Sequence, residues 1–227
     1  MQRDVIFPEI FCGLPVKAFF TGKHTGSDPA VLSKASSIKQ ERIYLPIQKH
    51  TDRIIIIKED TGSRIGDSVI TVEKNMLIGI KTADCVPILL YDKSRQVAAA
   101  VHAGWRGTAD SILKKTVRCL ITEFLSAPSD ILMAVGPAIR GCCYEVGHDV
   151  FELVKIATGR GDYYMTKDEK YRIDLQKANR QQALSAGLSA DNIQIMEECT
   201  YCTQDKFFSY RFSKENAGRQ GGFIAII

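Results

Sequence analysis

The sequence predicts an α+β fold, with mixed β-sheets in layers flanked by a few helices, organised as a single domain over residues 1–227. Three observations carry that expectation. Apolar and β-branched runs of strand length crowd the first half, at 54–57, 68–72, 76–80, 86–91 and 96–102, and Gly, Asp and Ser turn signals separate them. The period then becomes helical over 108–125, where Ile112/Leu113, Thr116/Val117, Leu120/Ile121 and Phe124/Leu125 recur every four residues. Strands and helices do not alternate regularly, which disfavours a doubly wound parallel sheet.

Taken in order, residues 21–42 read as loop with one short helix, because Gly22, Gly26, Ser27, Pro29 and the Ser36-Ser37 pair interrupt any period. In the 108–125 helix, Thr108 or Asp110 is the expected cap and Pro128 lies beyond the end. A buried strand at 131–135 runs into Gly136-Pro137. Two more helices are expected at 148–158 and 175–186, the second closed by Gly187, and strands at 193–196, 207–212 and 223–227 finish the chain.

Composition narrows the function classes. The chain has 227 residues, 45% hydrophobic and 25% charged, which is ordinary for a globular protein long enough to bury a core without disulfides. A net charge of +4 and a pI near 8.6 fall short of the basic signature of a nucleic-acid binder, pI above about 9. No apolar run approaches the roughly 18 residues of a membrane span. The charged start Met1-Gln2-Arg3-Asp4-Val5 has no apolar stretch behind it, so a cytoplasmic location is expected.

Seven cysteines, an odd number at irregular positions, then read as free thiols. Cys12 and Cys119 are expected as small buried hydrophobes. The adjacent Cys142-Cys143 pair cannot bridge without strain. Cys199-x-x-Cys202 lacks a second C-x-x-C or an H-x3-H to complete a four-ligand zinc site, so ordinary packing is expected there.

Chemistry concentrates where strands end in polar residues. Asp84-Cys85 interrupts two apolar strands, and the next strand ends in His102-Ala103-Gly104-Trp105-Arg106-Gly107. If these strands are neighbours, Cys85 and His102 meet at one sheet edge, either as nucleophile and base or as two ligands of a borderline metal. His50, one of only four histidines, precedes the 54–57 strand and adds a third donor. Zinc with three protein ligands keeps a position for water, the form of a catalytic site. The long spacings carry no specificity of their own, and a metal-free Cys-His hydrolase would use the same Cys85 and His102.

Four sets of strings add a resemblance: Thr82-Ala83-Asp84-Cys85-x-Pro87; His102 to Gly107; Gly136-Pro137-x-Ile139 with Cys143-Tyr144-Glu145-Val146; and Cys199-Thr200 with Phe207-Phe208-Ser209-Tyr210-Arg211 and Gly218-Arg219. In this order, from Gln48 to the C-terminus, the chain resembles the multicopper polyphenol oxidase (laccase) domain family of YfiH/YlmD type, also called a purine nucleoside phosphorylase family. The resemblance implies one zinc ion on His50, Cys85 and His102. It also implies a small-molecule enzyme, monomer or homodimer, that cleaves adenosine, inosine or methylthioadenosine with phosphate and also deaminates adenosine. In that setting Asp84 and Arg106 are the candidate catalytic residues. Asp84 would orient a ligand His or water, or act as acid/base. Gln48, Arg106, Cys143, Tyr144 and Arg211 are the candidate substrate contacts, and Trp105 could stack on a purine or join the core.

Two departures stand out. The chain reads Ser209-Tyr210-Arg211-Phe212 where the family pattern has a second Arg, and residues 21–47 lack the N-R pair usual there. The oxidase name is at odds with the histidine count, since four His cannot hold a cluster of copper ions.

Overall fold

A computed structural model describes residues 4–58, 62–167 and 170–227. With strands numbered in chain order, a six-stranded sheet holds, from edge to edge, Ile193–Ile195 (β13), Ile131–Val135 (β9), Val86–Asp92 (β7), Val97–Ala103 (β8), Ser68–Thr71 (β5) and Ile54–Ile57 (β4). Its centre is antiparallel, and parallel pairs β13–β9 and β4–β5 close its edges. A five-stranded sheet holds Val5–Ile6 (β1), Val16–Thr21 (β2), Gln220–Ile226 (β14), Leu77–Thr82 (β6) and Ile43–Tyr44 (β3). A small sheet of Glu145–Val146 (β10), Lys170–Ile173 (β12) and Tyr164–Lys167 (β11) stands apart. The helices are Pro29–Ser36 (α1), Trp105–Ala109 (α2), Ile112–Phe124 (α3), His148–Thr158 (α4), Leu175–Ser185 (α5) and Tyr210–Ser213 (α6).

Side-chain alternation along β7 and β8 explains the layering. Leu89, Tyr91, Ala98 and Ala100 point one way and meet Phe20, Ile78, Ile80 and Ile224 of the five-stranded sheet. Ile88, Leu90, Val97, Ala99 and Val101 point the other way, under Leu113 and Val117 of α3, Val154 of α4 and Ala178 of α5. The far face of the five-stranded sheet, with Phe19, Leu77 and Phe223, is covered by Leu32 of α1. The layers therefore run α1, five strands, six strands, then α3 to α5. This is the expected α+β architecture, and β7 is buried on both faces because it lies at its centre.

Several elements differ from expectation for identifiable reasons. The 108–125 helix is two helices: α2 starts directly after Gly104, and Ser111, at φ +58°, breaks the path before α3. Thr108 is no cap; its hydroxyl accepts from Asn179 Nδ2 at 2.9 Å inside the core. The aromatic run at 207–212 is not a strand, because Ser209 Oγ accepts the Phe212 N–H at 3.3 Å and starts α6. β2 escaped the sequence reading because it is buried on both faces and shows no alternation. The β11–β12 hairpin was missed because it is mostly polar; it docks through Tyr171, whose ring stacks on Phe151 at 4.5 Å. Cys12 is exposed and Cys119 half-buried, against the expectation that both are core.

Phe20 lies fully buried between the two large sheets, its ring against Gly136 and Gly222. Phe20→Ala should therefore cost about 3–5 kcal/mol of unfolding free energy, read from a lowered urea midpoint at unchanged slope.

Candidate metal and active site

The strand register builds the site. β7 and β8 pair with Pro87 opposite His102 and Val86 opposite Ala103, so Cys85, just before β7, lies beside the end of β8. The neighbour relation that the sequence reading required is thus present. On the other side of β8, Ser68 of β5 pairs with Val101, and the His102 N–H donates to the Asp67 carbonyl at 2.7 Å. His50 arrives from the loop between β3 and β4, in the left-handed region at φ +57°. Gln48 anchors that loop to β6: its Nε2 donates to Lys81 O, and its Oε1 accepts from Lys81 N, both at 2.8 Å.

The result is a compact donor set. One ligand atom each from His50, Cys85 and His102 lies within 4.8 Å of the others. Cys85 Sγ is 4.0 Å from His50 Nε2, and the two imidazole rings meet edge to face at 4.9 Å. His102 is only 4% exposed. Two imidazoles and a thiol are a donor set for a borderline cation such as zinc, and three of them leave a position open.

Asp67, fully buried, organises these ligands. Its carboxylate accepts from the backbone N–H groups of Lys49 (3.2 Å), His50 (3.1 Å) and Thr51 (2.7 Å), and from the Thr51 hydroxyl (2.9 Å). His102 Nδ1 completes the set at 2.8 Å. Burial alone would raise the Asp67 pKa, but the hydrogen bonds from His102 and Thr51 hold it well below the usual carboxylate range. An ionised carboxylate only accepts, so Nδ1 carries a proton and Nε2 is the nitrogen left for a metal, which would displace any proton held there. Burial likewise opposes charge on Cys85 and His102, yet each stabilises the other: the thiol is pulled down and the imidazole pushed up.

The other expected residues surround this set with different tasks. Asp84 lies in the left-handed region at φ +82°, and its carboxylate is engaged by groups other than His50 and His102. It accepts from Thr200 Oγ1 (2.6 Å), Ser209 Oγ (3.0 Å) and the Arg211 N–H (2.6 Å), so it ties two distant segments, at Thr200 and at the start of α6, to the residue before Cys85. The carboxylate bonded to a ligand His is Asp67, not Asp84. The Arg211 guanidinium donates to Glu145 O at 3.1 Å and lies 5.1 Å over the Tyr144 ring. Burial and the nearby Cys85 charge push the Tyr144 phenol well up, so it keeps its proton. Arg106 is exposed and stacks on half-buried Trp105 at 4.4 Å. Cys143 lies among other cysteines, 3.2 Å from Cys202 Sγ. His24 and His148 are exposed. Asp67, Thr200 and Ser209 were missed in the sequence; Gly66-Asp67-Ser68 reads only as a turn before a strand.

Two variants test this organisation. Asp67→Asn should weaken metal affinity by about 10–100-fold, measured by chelator competition. Gly104→Ala places a methyl 2.8 Å from Cys85 Sγ and 3.5 Å from His50 Cδ2. It should weaken metal binding while changing the urea midpoint little.

The chain is similar to known proteins in sequence and in fold. The family model described as multi-copper polyphenol oxidoreductase laccase matches residues 23–227. A purine nucleoside phosphorylase of Clostridium acetobutylicum is 42% identical over 179 residues, covering 78% of this chain and 74% of that protein. Adenosine deaminase RL5, from an unknown prokaryotic organism, is 32% identical over 201 residues, covering 83% and 76%. The crystal structure of YlmD from Geobacillus stearothermophilus superposes with a TM-score of 0.91 at 30% identity, covering 100% of this chain and 97% of that one. The motif strings, the layered fold and a match running to the last residue agree, and the chain belongs to the multi-copper polyphenol oxidoreductase laccase family.

Proposed function

We propose that this protein is a zinc-dependent purine nucleoside phosphorylase, cleaving adenosine, inosine or methylthioadenosine with phosphate, and that adenosine deamination is a second activity of the same site. The observation that carries the reading is the His50–Cys85–His102 set oriented by buried Asp67. The names of the relatives supply the reaction class.

His50, Cys85 and His102 would hold the ion, which when bound supplies Lewis acidity at the mouth of the site. The chain's own residues do the rest. Phosphorolysis forms a bond from a phosphate oxygen to C1′ of the ribose and breaks the C1′–N9 bond, and the departing purine takes up a proton. It therefore needs a cation for phosphate and a donor near the base. Arg106 is the candidate for phosphate, since its guanidinium is exposed, braced by Trp105, and carried four residues beyond His102. Tyr144 keeps its phenolic proton, since burial and the Cys85 charge push its phenol well up, and offers that donor to the nucleoside. Arg211 and Gln48 are proposed to line the pocket mainly by position, since their side chains are engaged with Glu145 O and Lys81. The bonds to Asp84 favour a positioning role over proton transfer.

The rival is a metal-free hydrolase. The mutual charging of Cys85 and His102 suits a nucleophile and its base as well as two ligands. Phosphate separates the two. Base release from inosine should require phosphate and yield ribose 1-phosphate, and Cys85→Ala should lose the metal and at least about 100-fold of that rate. Inosine cleavage retained in a metal-free variant, or base release indifferent to phosphate and abolished by alkylating Cys85, would contradict the phosphorylase reading.

A further inference from the structure

A second cluster of soft donors lies outside the site described above. Cys142-Cys143 occupies the turn between β9 and β10, and Cys199-x-x-Cys202 the turn after β13. Neither pair is complete alone, which is why the C-x-x-C read as ordinary packing in the sequence. The fold brings them together. Ala138 bridges Cys199 in parallel fashion, Thr200 N donates to Ala138 O at 3.1 Å, and Arg140 Nη1 donates to Glu197 O at 2.9 Å. The four Sγ atoms then lie within 4.8 Å of one another, with Cys142 and Cys143 at 3.8 and 3.2 Å from Cys202.

We infer that Cys142, Cys143, Cys199 and Cys202 form a second, four-thiolate zinc site that staples the turn between β9 and β10 to the turn after β13. A tetrahedral zinc with bonds of about 2.3 Å spaces its sulfurs by about 3.8 Å, close to the separations present. The 3.2 Å contact is too long for a disulfide, whose sulfurs stand about 2.05 Å apart. A set of four thiols, with no carboxylate or imidazole in it, selects a soft, tetrahedral ion. Both turns present their sulfurs through tight backbone bonds: Cys143 N and Tyr144 N both donate to Arg140 O, and Cys202 N and Thr203 N both donate to Cys199 O. The Arg140 N–H also donates to Cys199 Sγ at 3.4 Å.

With four protein ligands the site has no open position and is structural. Its consequence is local. The stapled loops carry Tyr144 and Thr200, and Thr200 holds Asp84. The site does not depend on the nucleoside reading, and its test does not use catalysis.

The experiment is metal analysis of the reduced, full-length chain and two variants. The wild type should carry about two zinc ions per chain and Cys85→Ala about one. The double variant Cys142→Ser, Cys202→Ser should also carry about one, with its His50–Cys85–His102 set intact. Cobalt titration of metal-stripped Cys85→Ala gives an independent readout should the double variant fail to fold: one equivalent should bind tetrahedrally with strong thiolate-to-metal charge-transfer absorption. The inference is overturned if Cys85→Ala holds no metal and gives no such band. Unchanged metal content in a folded double variant would also overturn it, as would an intact mass showing Cys143 and Cys202 oxidised to a disulfide in the isolated protein.

Discussion

The arrangement depends most on one buried carboxylate. Asp67 accepts five hydrogen bonds, three from the backbone of the loop carrying His50, one from the Thr51 hydroxyl and one from the ring of His102. An ionised, fully buried carboxylate is costly unless its oxygens are satisfied. Here the satisfying groups belong to two of the three ligand-bearing segments. The same bonds that make the charge tolerable fix the tautomer of His102 and the path of the backbone at His50. Asp67 thus couples the folding of the β3–β4 loop to the formation of the site.

Cys85, the third member of the donor set, is placed by strand register instead. The β7–β8 pairing runs without interruption from Asp92–Val97 to Val86–Ala103, so a slip of one residue would turn His102 to the other face. The large sheet interface holds that register through Leu89, Tyr91, Ala98 and Ala100. Gly104 is then required for space, because any side chain there collides with Cys85 Sγ. Asp84 links this centre outward to Thr200, Ser209 and Arg211, segments more than a hundred residues away in the chain. Two carboxylates therefore divide the work, Asp67 on the His50–Cys85–His102 set and Asp84 on the Thr200 and Ser209–Arg211 segments.

Much of this was legible in the sequence. The strands that flank the three donors announce themselves by apolar and β-branched runs, and the string from His102 to Gly107 marks a strand end with chemistry. β2 was illegible because burial on both faces erases alternation, and α6 because a Ser209 cap overrides the strand propensity of its aromatic neighbours. Asp67 was hidden for a different reason. Nothing local separates a turn aspartate from one that accepts five bonds, since Lys49, His50 and Thr51 lie 16 to 18 residues earlier and His102 lies 35 residues later on β8. The four-cysteine cluster was likewise invisible as two incomplete halves, brought together by the parallel approach of Ala138 and Cys199 and by the bonds of Arg140.

The scarcity of histidine sharpens the functional reading. Four His cannot hold a copper cluster, yet two of them sit in one compact set with a cysteine, while His24 and His148 are exposed. The central claim is that this set, held by Asp67, binds a metal ion. Anomalous diffraction at the zinc absorption edge from crystals of the zinc-loaded protein tests it most directly. The account predicts a peak bonded to His50, to Cys85 Sγ and to His102 Nε2, with Nδ1 still on Asp67. A zinc-loaded crystal with no peak among these three residues would contradict it.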